Sequence, residues 1–130
     1  GRHDPAQRLY HGGLMSNLDK YRSRLRTERY ESEQHGIAIT LAECGGRAGF
    51  RLAGLWQDAI AKADGGKIGG DELLGLFVES IAASVVEEDG SRPLDSDEGR
   101  AVVAEWPGLA IIAAGEIATR VNGFAELKKS

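Results

Sequence analysis

Few residues in this chain have side chains that perform covalent or acid–base chemistry. His35, Glu43 and Cys44 could form a thiol site, in which a nearby base activates the cysteine sulfur. A free cysteine is commonly a small buried group, so a packed thiol is the competing interpretation. The chain has no spacing typical of a catalytic triad or of a metal site, and we expect no enzyme activity, no metal and no cofactor.

Two further segments have compositions that can bind ligands. The glycine-rich run at residues 65–70 does not follow a predicted strand and does not end in Gly-Lys-Ser/Thr, so it does not match a phosphate loop. The acidic run Asp95–Glu98 lacks the spaced ligands of a calcium loop, and a helix capping box explains it better. Glu116 is expected to pair with Arg120 one helical turn later.

Composition indicates one globular domain. Hydrophobic residues are 42% and charged residues 28% of 130 positions, and no apolar run is long enough to span a bilayer. The single cysteine is typical of a reducing cytoplasm, and the net charge of −4 argues against a general nucleic-acid binder. We expect an expression leader at residues 1–14, a single helical domain at 15–124 and a flexible tail at 125–130.

Charge is distributed unevenly along the chain. Basic residues crowd the start, whereas residues 71–99 contain nine acids and one basic residue, Arg92. These poles are either solvated faces or surfaces for head-to-tail self-association. The candidate contact residues from the two poles are Arg22, Arg24, Arg26, Glu87, Glu88 and Asp89.

An alternating pattern predicts a short N-terminal β-hairpin. Ile37, Ile39 and Leu41 alternate with other residues, and Gly36 before them permits a turn with positive φ. A lone hairpin is marginal in water. It must therefore lie against helices or pair with another subunit's edge, which makes Ile37 and Ile39 candidate contacts.

About four helices follow the hairpin. Thr40 and Glu43 match a capping box, although Gly45-Gly46 predicts a break or fraying near the start of the first helix. The second helix is apolar on nearly every side, so it is either the core or a groove for an amphipathic partner helix. The predicted helices are Leu41–Ala63, Asp71–Val86, one beginning at Asp95, and Pro107–Val121. The predicted apolar face of the first helix is Phe50, Ala53, Trp56, Ile60 and Ala63.

A Trp-Pro pair separates the last two helices. Pro107 cannot lie inside a straight helix but suits a first turn, and Trp106 is pushed from helical dihedrals. We expect Trp106 and Pro107 to form a structural corner, and Asn122-Gly123 to end the last helix. The predicted fold class is mainly α, a small helical domain of about four helices with one short N-terminal β-hairpin.

The order of these features over residues 28–124 resembles the tail assembly chaperones of long-tailed bacteriophages, especially the lambda-like group. The segments that carry the likeness are His35–Leu41 with Ala42-Glu43, then Glu105-Trp106-Pro107, and Glu116–Gly123. The resemblance implies a homo-oligomer, in a ring or spiral, that coats the tape measure protein and helps recruit tail tube subunits. It also implies a frameshift-extended product that binds the tube protein, location in the host cytoplasm during assembly, and absence from the mature virion.

The alternative is a small helical regulatory or nucleic-acid-binding module. Arg22, Arg24, Arg26 and Arg29 would then contact phosphates from an extended arm. Neighbouring glutamates reduce the positive field of this segment. Nucleic acid is therefore not the expected partner.

Overall fold

The computed structural model describes residues 17–63 and 65–127. The leader predicted at residues 1–14 lies outside the described residues, as do residues 128–130 of the predicted tail. Residues 17–19 are helical. The strands are β1 (Thr27–Ser32), β2 (Ile37–Ala42) and β3 (Val85–Val86). The main helices are α1 (Gly46–Lys62), α2 (Gly70–Ser84), α3 (Asp97–Ala104) and α4 (Gly108–Asn122), followed by a 3-10 turn at Phe124–Glu126.

The sheet has three antiparallel strands in the order β1-β2-β3, so the predicted fold with one N-terminal hairpin was wrong. Val85 and Val86, predicted as the end of the second helix, leave the helix and pair with Leu41 and Thr40. Two β-branched residues fit a pleated strand, and their pairing satisfies backbone groups on the second edge of β2. The third strand thus follows two helices and returns to the sheet.

The two N-terminal strands are joined by a tight turn. Tyr30 lies opposite Ile39, and Ser32 lies opposite Ile37. Gly36 closes the turn with a φ of 66°, a conformation that a side chain would strain. Both β1 and β2 pack against α4, which buries the inner face of the sheet within the protein.

The first main helix begins later than the predicted Leu41. Thr40 and Leu41 belong to β2, and the helix starts at Gly46 with Gly45 as its N-cap and no side-chain cap bond. The predicted Thr40–Glu43 capping box was therefore wrong. The Glu43 carboxylate instead accepts a hydrogen bond from the Arg26 backbone N–H at 3.1 Å.

The buried face of α1 also differs from the prediction. Phe50 is 78% exposed, whereas Leu52 is fully buried together with Trp56 and Ala59. Once the helix starts at Gly46, Leu52, Trp56 and Ala59 fall on one face at four- and three-residue spacing.

The last two helices meet at a corner. Ser96, rather than the predicted Asp95, caps α3 by accepting a hydrogen bond from the Gly99 N–H at 3.0 Å. Trp106 is half-buried against the core. The Pro107 carbonyl accepts the first bond of α4, from the Ile111 N–H at 3.0 Å. Gly123 ends that helix with a φ of 77°.

Helix α2 is the centre of the core. One cluster lies between α2, α4 and the sheet and includes Leu41, Ile81 and Ile111. A second cluster lies between α1 and α2 and is built around Trp56, whose ring stacks on Phe124 at 5.8 Å between centroids. The buried Trp56 Nε1–H donates to Ser80 Oγ at 2.9 Å, so the indole is satisfied inside the core.

A glycine sets the closest approach between α2 and α4. A Cβ at Gly115 would lie 2.5 Å from Cγ of Phe77, so Gly115→Ala requires the ring to shift. We expect a loss of about 1–3 kcal/mol in the free energy of unfolding, measured by urea denaturation. The matched control is Gly75→Ala in α2, which has nothing within 4 Å and should gain stability. Equal effects of the two substitutions would contradict the close packing at Gly115.

Candidate functional site

The structure does not bring the candidate thiol-site residues together. His35 lies in the β1–β2 turn, where its Nδ1 is 3.2 Å from Ser32 Oγ. Cys44 lies beyond the other end of the six-residue β2, about 20 Å along the strand. The Cys44 thiol donates to the Ala83 carbonyl at 3.4 Å. The cysteine is thus a packed, hydrogen-bonded group.

Within residues 17–63 and 65–127, no three or more histidine, cysteine, aspartate or glutamate side chains are grouped so that they could hold a metal ion. No helix there is both long and apolar enough to cross a bilayer.

Arg92, which the sequence presents as an isolated basic residue, binds three backbone carbonyls from two segments of the chain. Its Nη1 donates to the carbonyls of Ala42 at 3.1 Å and Ala83 at 3.0 Å, and its Nη2 donates to the carbonyl of Glu43 at 3.0 Å. Ala83 lies in the last turn of α2, where carbonyls lack helical partners and a cation is favourable. Arg92 therefore joins β2 to α2.

Asn122 completes this polar junction from the end of α4. Its Oδ1 accepts from the Cys44 N–H at 2.8 Å, and its Nδ2 donates to Ser84 Oγ at 2.9 Å and to the Ala118 carbonyl at 2.8 Å. Because both the oxygen and the nitrogen of the side-chain amide are used in these bonds, we interpret Asn122 as a residue that stabilises the fold.

Arg120 makes its direct ion pair with Glu28 of β1, and the predicted partner Glu116 contributes only a weaker electrostatic interaction with it. Arg120 Nε donates to Glu28 Oε1 at 3.0 Å, and its Nη2 bonds the second oxygen, Oε2. The hydrogen bond from Arg120 lowers the pKa of Glu28 below its ordinary value. A two-point contact aligns the guanidinium with the carboxylate, which explains why Arg120 selects this partner.

Acidification should remove the contribution of this pair. The lowered pKa means that the Glu28–Arg120 contact stabilises the fold above the unfolded pKa of glutamate, about 4.3. This contribution is lost as the pH falls through the folded pKa. At neutral pH, Glu28→Gln should lower the thermal midpoint slightly, since both side chains are exposed. The role of the pair would be contradicted if Glu28→Gln lowered the thermal midpoint more in acid than at neutral pH. It would also be contradicted if Glu33→Gln lowered the midpoint as much as Glu28→Gln.

An apolar groove runs between α2 and α4 and is called here the α2–α4 groove. Its volume is about 300 Å³. It is lined by Gly70, Leu73, Leu74, Phe77, Gly108, Ile111 and Ile112. An adjoining cavity of about 500 Å³ shares Leu73 and Phe77 and extends towards Arg120.

Large apolar side chains are exposed at and beside this groove. Leu109 is 76% exposed, Ile112 is 48% exposed and Leu74 is 47% exposed. An exposed apolar patch next to a groove is typical of a protein interaction site. The surface can bury the apolar face of an amphipathic helix, for which the groove-lining part of α2, residues 70–77, offers a track about 11 Å long.

A second cavity, called here the β2 slot, lies beside the sheet and has a volume of about 670 Å³. It contains three of the residues proposed from the sequence as contacts: Ile39, Glu87 and Glu88. Its lining residues are Arg29, Ala38, Ile39, Thr40, Val85, Val86, Glu87, Glu88, Pro93 and Leu94.

The remaining sequence-predicted contact residues are dispersed. Ile37 begins β2 half-buried, and Asp89 is exposed in the loop after β3. Arg22, Arg24 and Arg26 lie on an exposed segment before β1 that has no regular secondary structure. The structure therefore places Glu87 and Glu88 at the β2 slot, and Arg22, Arg24, Arg26 and Asp89 outside its lining.

No protein-family model matches the chain, and comparisons with curated proteins and with solved structures find no significant match.

Proposed function

We propose that this protein is a non-enzymatic tail assembly chaperone of a long-tailed bacteriophage. It oligomerises, coats the tape measure protein and helps recruit tail tube subunits in the host cytoplasm, and it leaves before the virion matures. The observation that carries the proposal is the α2–α4 groove, whose exposed apolar side chains suit an amphipathic helix.

A long helical partner suits a surface of this kind. The groove's volume of about 300 Å³ is at the low end for a small-molecule pocket, and Leu74, Leu109 and Ile112 at and beside it are exposed, so a single contact there would be weak. Several subunits bound along one partner raise the overall affinity through effective concentration. Repeated binding to a tape measure protein therefore fits the groove better than capture of a single small molecule.

Nucleic-acid binding draws less support from the arginines. Arg22 pairs with Asp19 at 2.8 Å, and Arg26 lies 3.8 Å from Glu43, so the acids nearby neutralise much of the segment. A gel-shift titration at physiological salt distinguishes the alternatives, since the chaperone should leave DNA and RNA unshifted.

The direct test is co-expression. The tagged chain is produced together with the long helix-rich protein that this proposal places immediately downstream in the same gene cluster. Co-purification of the two, with several copies of this chain on each partner, supports the proposal. Purification of the chain alone, while the downstream protein remains soluble without it, would overturn it.

A further inference from the structure

One edge of the sheet is only partly covered. Strand β3 pairs with Thr40 and Leu41, and within the described residues Ile37–Ile39 have a strand neighbour only on the β1 side. Ala38 and Ile39 of this open stretch line the β2 slot. Unpaired backbone groups on an open strand edge are a template for an added strand.

The other free edge of the sheet is less suitable. Strand β1 carries Glu28, Arg29 and Glu31, and charged side chains on an edge discourage pairing with another chain. The open part of β2 has no charged residue: its sequence is Ile-Ala-Ile. The stretch Ile37–Ile39 of β2, beside the β2 slot, is therefore the sheet edge that remains open to pairing.

The lining of the β2 slot includes two acidic side chains, Glu87 and Glu88, and one arginine, Arg29, which already pairs with Glu31 at 3.1 Å. Glu87 and Glu88 are exposed, and neither has an ion-pair partner among the described residues. Asp89 is held differently, because its Oδ1 accepts from the Ser91 N–H at 2.9 Å. Ile39, Val85 and Leu94 supply apolar surface in the same slot. An extended segment with both apolar and basic side chains would complement this surface.

The segment Tyr21–Arg26, called here the arm, has that pattern. In an extended chain Tyr21 and Leu25 point to one face and Arg22 and Arg24 to the other. Tyr21 is 78% exposed and Leu25 is 45% exposed, so both side chains have apolar surface left to bury. The Arg22–Asp19 ion pair is exposed, so breaking it to form a new pair costs little free energy.

The arm cannot reach the open edge of its own chain. The Glu43 N–H donates to the Arg26 carbonyl at 2.7 Å, which fixes the base of the arm beside the Ala42 end of β2. Because β1 runs antiparallel to β2, the chain before Thr27 leads away from Ile37. Filling the slot within one chain would require the arm to reverse and then cross about 17 Å, the full extended reach of five residues.

We propose that the arm of one copy adds as a strand beside Ile37–Ile39 of a second copy, with its arginines at Glu87 and Glu88. Such a contact is head-to-tail, so repetition produces a ring or an open helical assembly. This inference supplies the self-association that the proposed chaperone function needs. The inference depends on the proposed chaperone function only for the reason why the chain would self-associate. The contact itself is tested on the purified chain without any partner.

Paired charge reversals test the contact by sedimentation velocity. The wild-type chain should self-associate at low salt and dissociate at high salt. Variants Arg22→Glu/Arg24→Glu and Glu87→Lys/Glu88→Lys should each raise the dissociation constant about tenfold or more. Mixing the two variants should restore association, because each acidic arm then meets a basic slot. Lys62→Glu/Lys67→Glu is the control with the same charge change as the arginine variant and should associate like the wild type.

Hydrogen exchange tests strand addition itself. Amides at residues 37–39 and 21–25 should exchange more slowly in the associated wild type than in either variant. A wild-type chain that stays monomeric at low salt, or a mixture that fails to associate, would overturn the proposal. Association without added protection at residues 37–39 would also overturn it. Either failure would leave the co-expression test of partner binding unaffected.

Discussion

Replacing Arg92 with methionine is expected to lower the free energy of unfolding by about 2–4 kcal/mol. The substitution keeps much of the apolar length but removes the donors that satisfy the carbonyls of Ala42, Glu43 and Ala83. A carbonyl left unpaired in a partly buried junction costs more than a surface bond. The substitution also removes the positive charge beside the last turn of α2. Urea denaturation of the two proteins measures the difference.

Two further variants make this test specific. Arg92→Lys should lie between the wild type and Arg92→Met, because one ammonium cannot reproduce the planar fork that spans these carbonyls. Arg47→Met removes an exposed arginine from the first turn of α1 and should change stability by less than about 0.5 kcal/mol. If Arg92→Met and Arg47→Met were equally stable, Arg92 would not join β2 to α2.

Acidic substitutions at and beside the α2–α4 groove are expected to abolish partner binding while the fold is kept. In the double variant Leu109→Glu/Ile112→Glu, two exposed apolar side chains become charged. An apolar partner face would then have to desolvate two carboxylates, and we expect affinity to fall by about 100-fold or more. Leu109 lies in the first turn of α4, where an acid is favourable, so the thermal midpoint should change little.

A matched variant separates the groove from general surface effects. Phe50→Glu/Val102→Glu also replaces two exposed apolar residues, which lie on α1 and α3 outside the groove. Its co-purification with the partner should equal that of the wild type. Equal loss of binding in both double variants would contradict a specific role for the α2–α4 groove.

The parts of the fold that local chemistry determines could be predicted from the sequence. Pro107 has no N–H, and α4 begins at Gly108 directly after it. Gly123 adopts the left-handed conformation expected after Asn122. Parts that depend on distant neighbours could not be predicted. Val85 and Val86 continue an apolar helical pattern, and only the open edge of β2 explains why they form a strand.

The candidate site was harder to predict because its helices are apolar on most sides. Helical periodicity in α4 does not show that Ile111 is buried while Leu109 and Ile112 are exposed. That division depends on where α2 and the sheet cover the helix. The role of Arg92 has a similar origin, since two of its three carbonyl partners, Ala42 and Glu43, lie 50 and 49 residues from it in sequence.

The central claim is that this chain binds a long helical partner through the α2–α4 groove. The most direct measurement is co-purification of the downstream helix-rich protein with the wild-type chain and with Leu109→Glu/Ile112→Glu, quantified as copies of this chain per partner. We predict several copies per partner for the wild type and none for the variant, with both chains equally folded. The claim would be contradicted if no partner co-purified with the wild-type chain, or if equal amounts of partner co-purified with the wild type and with the variant.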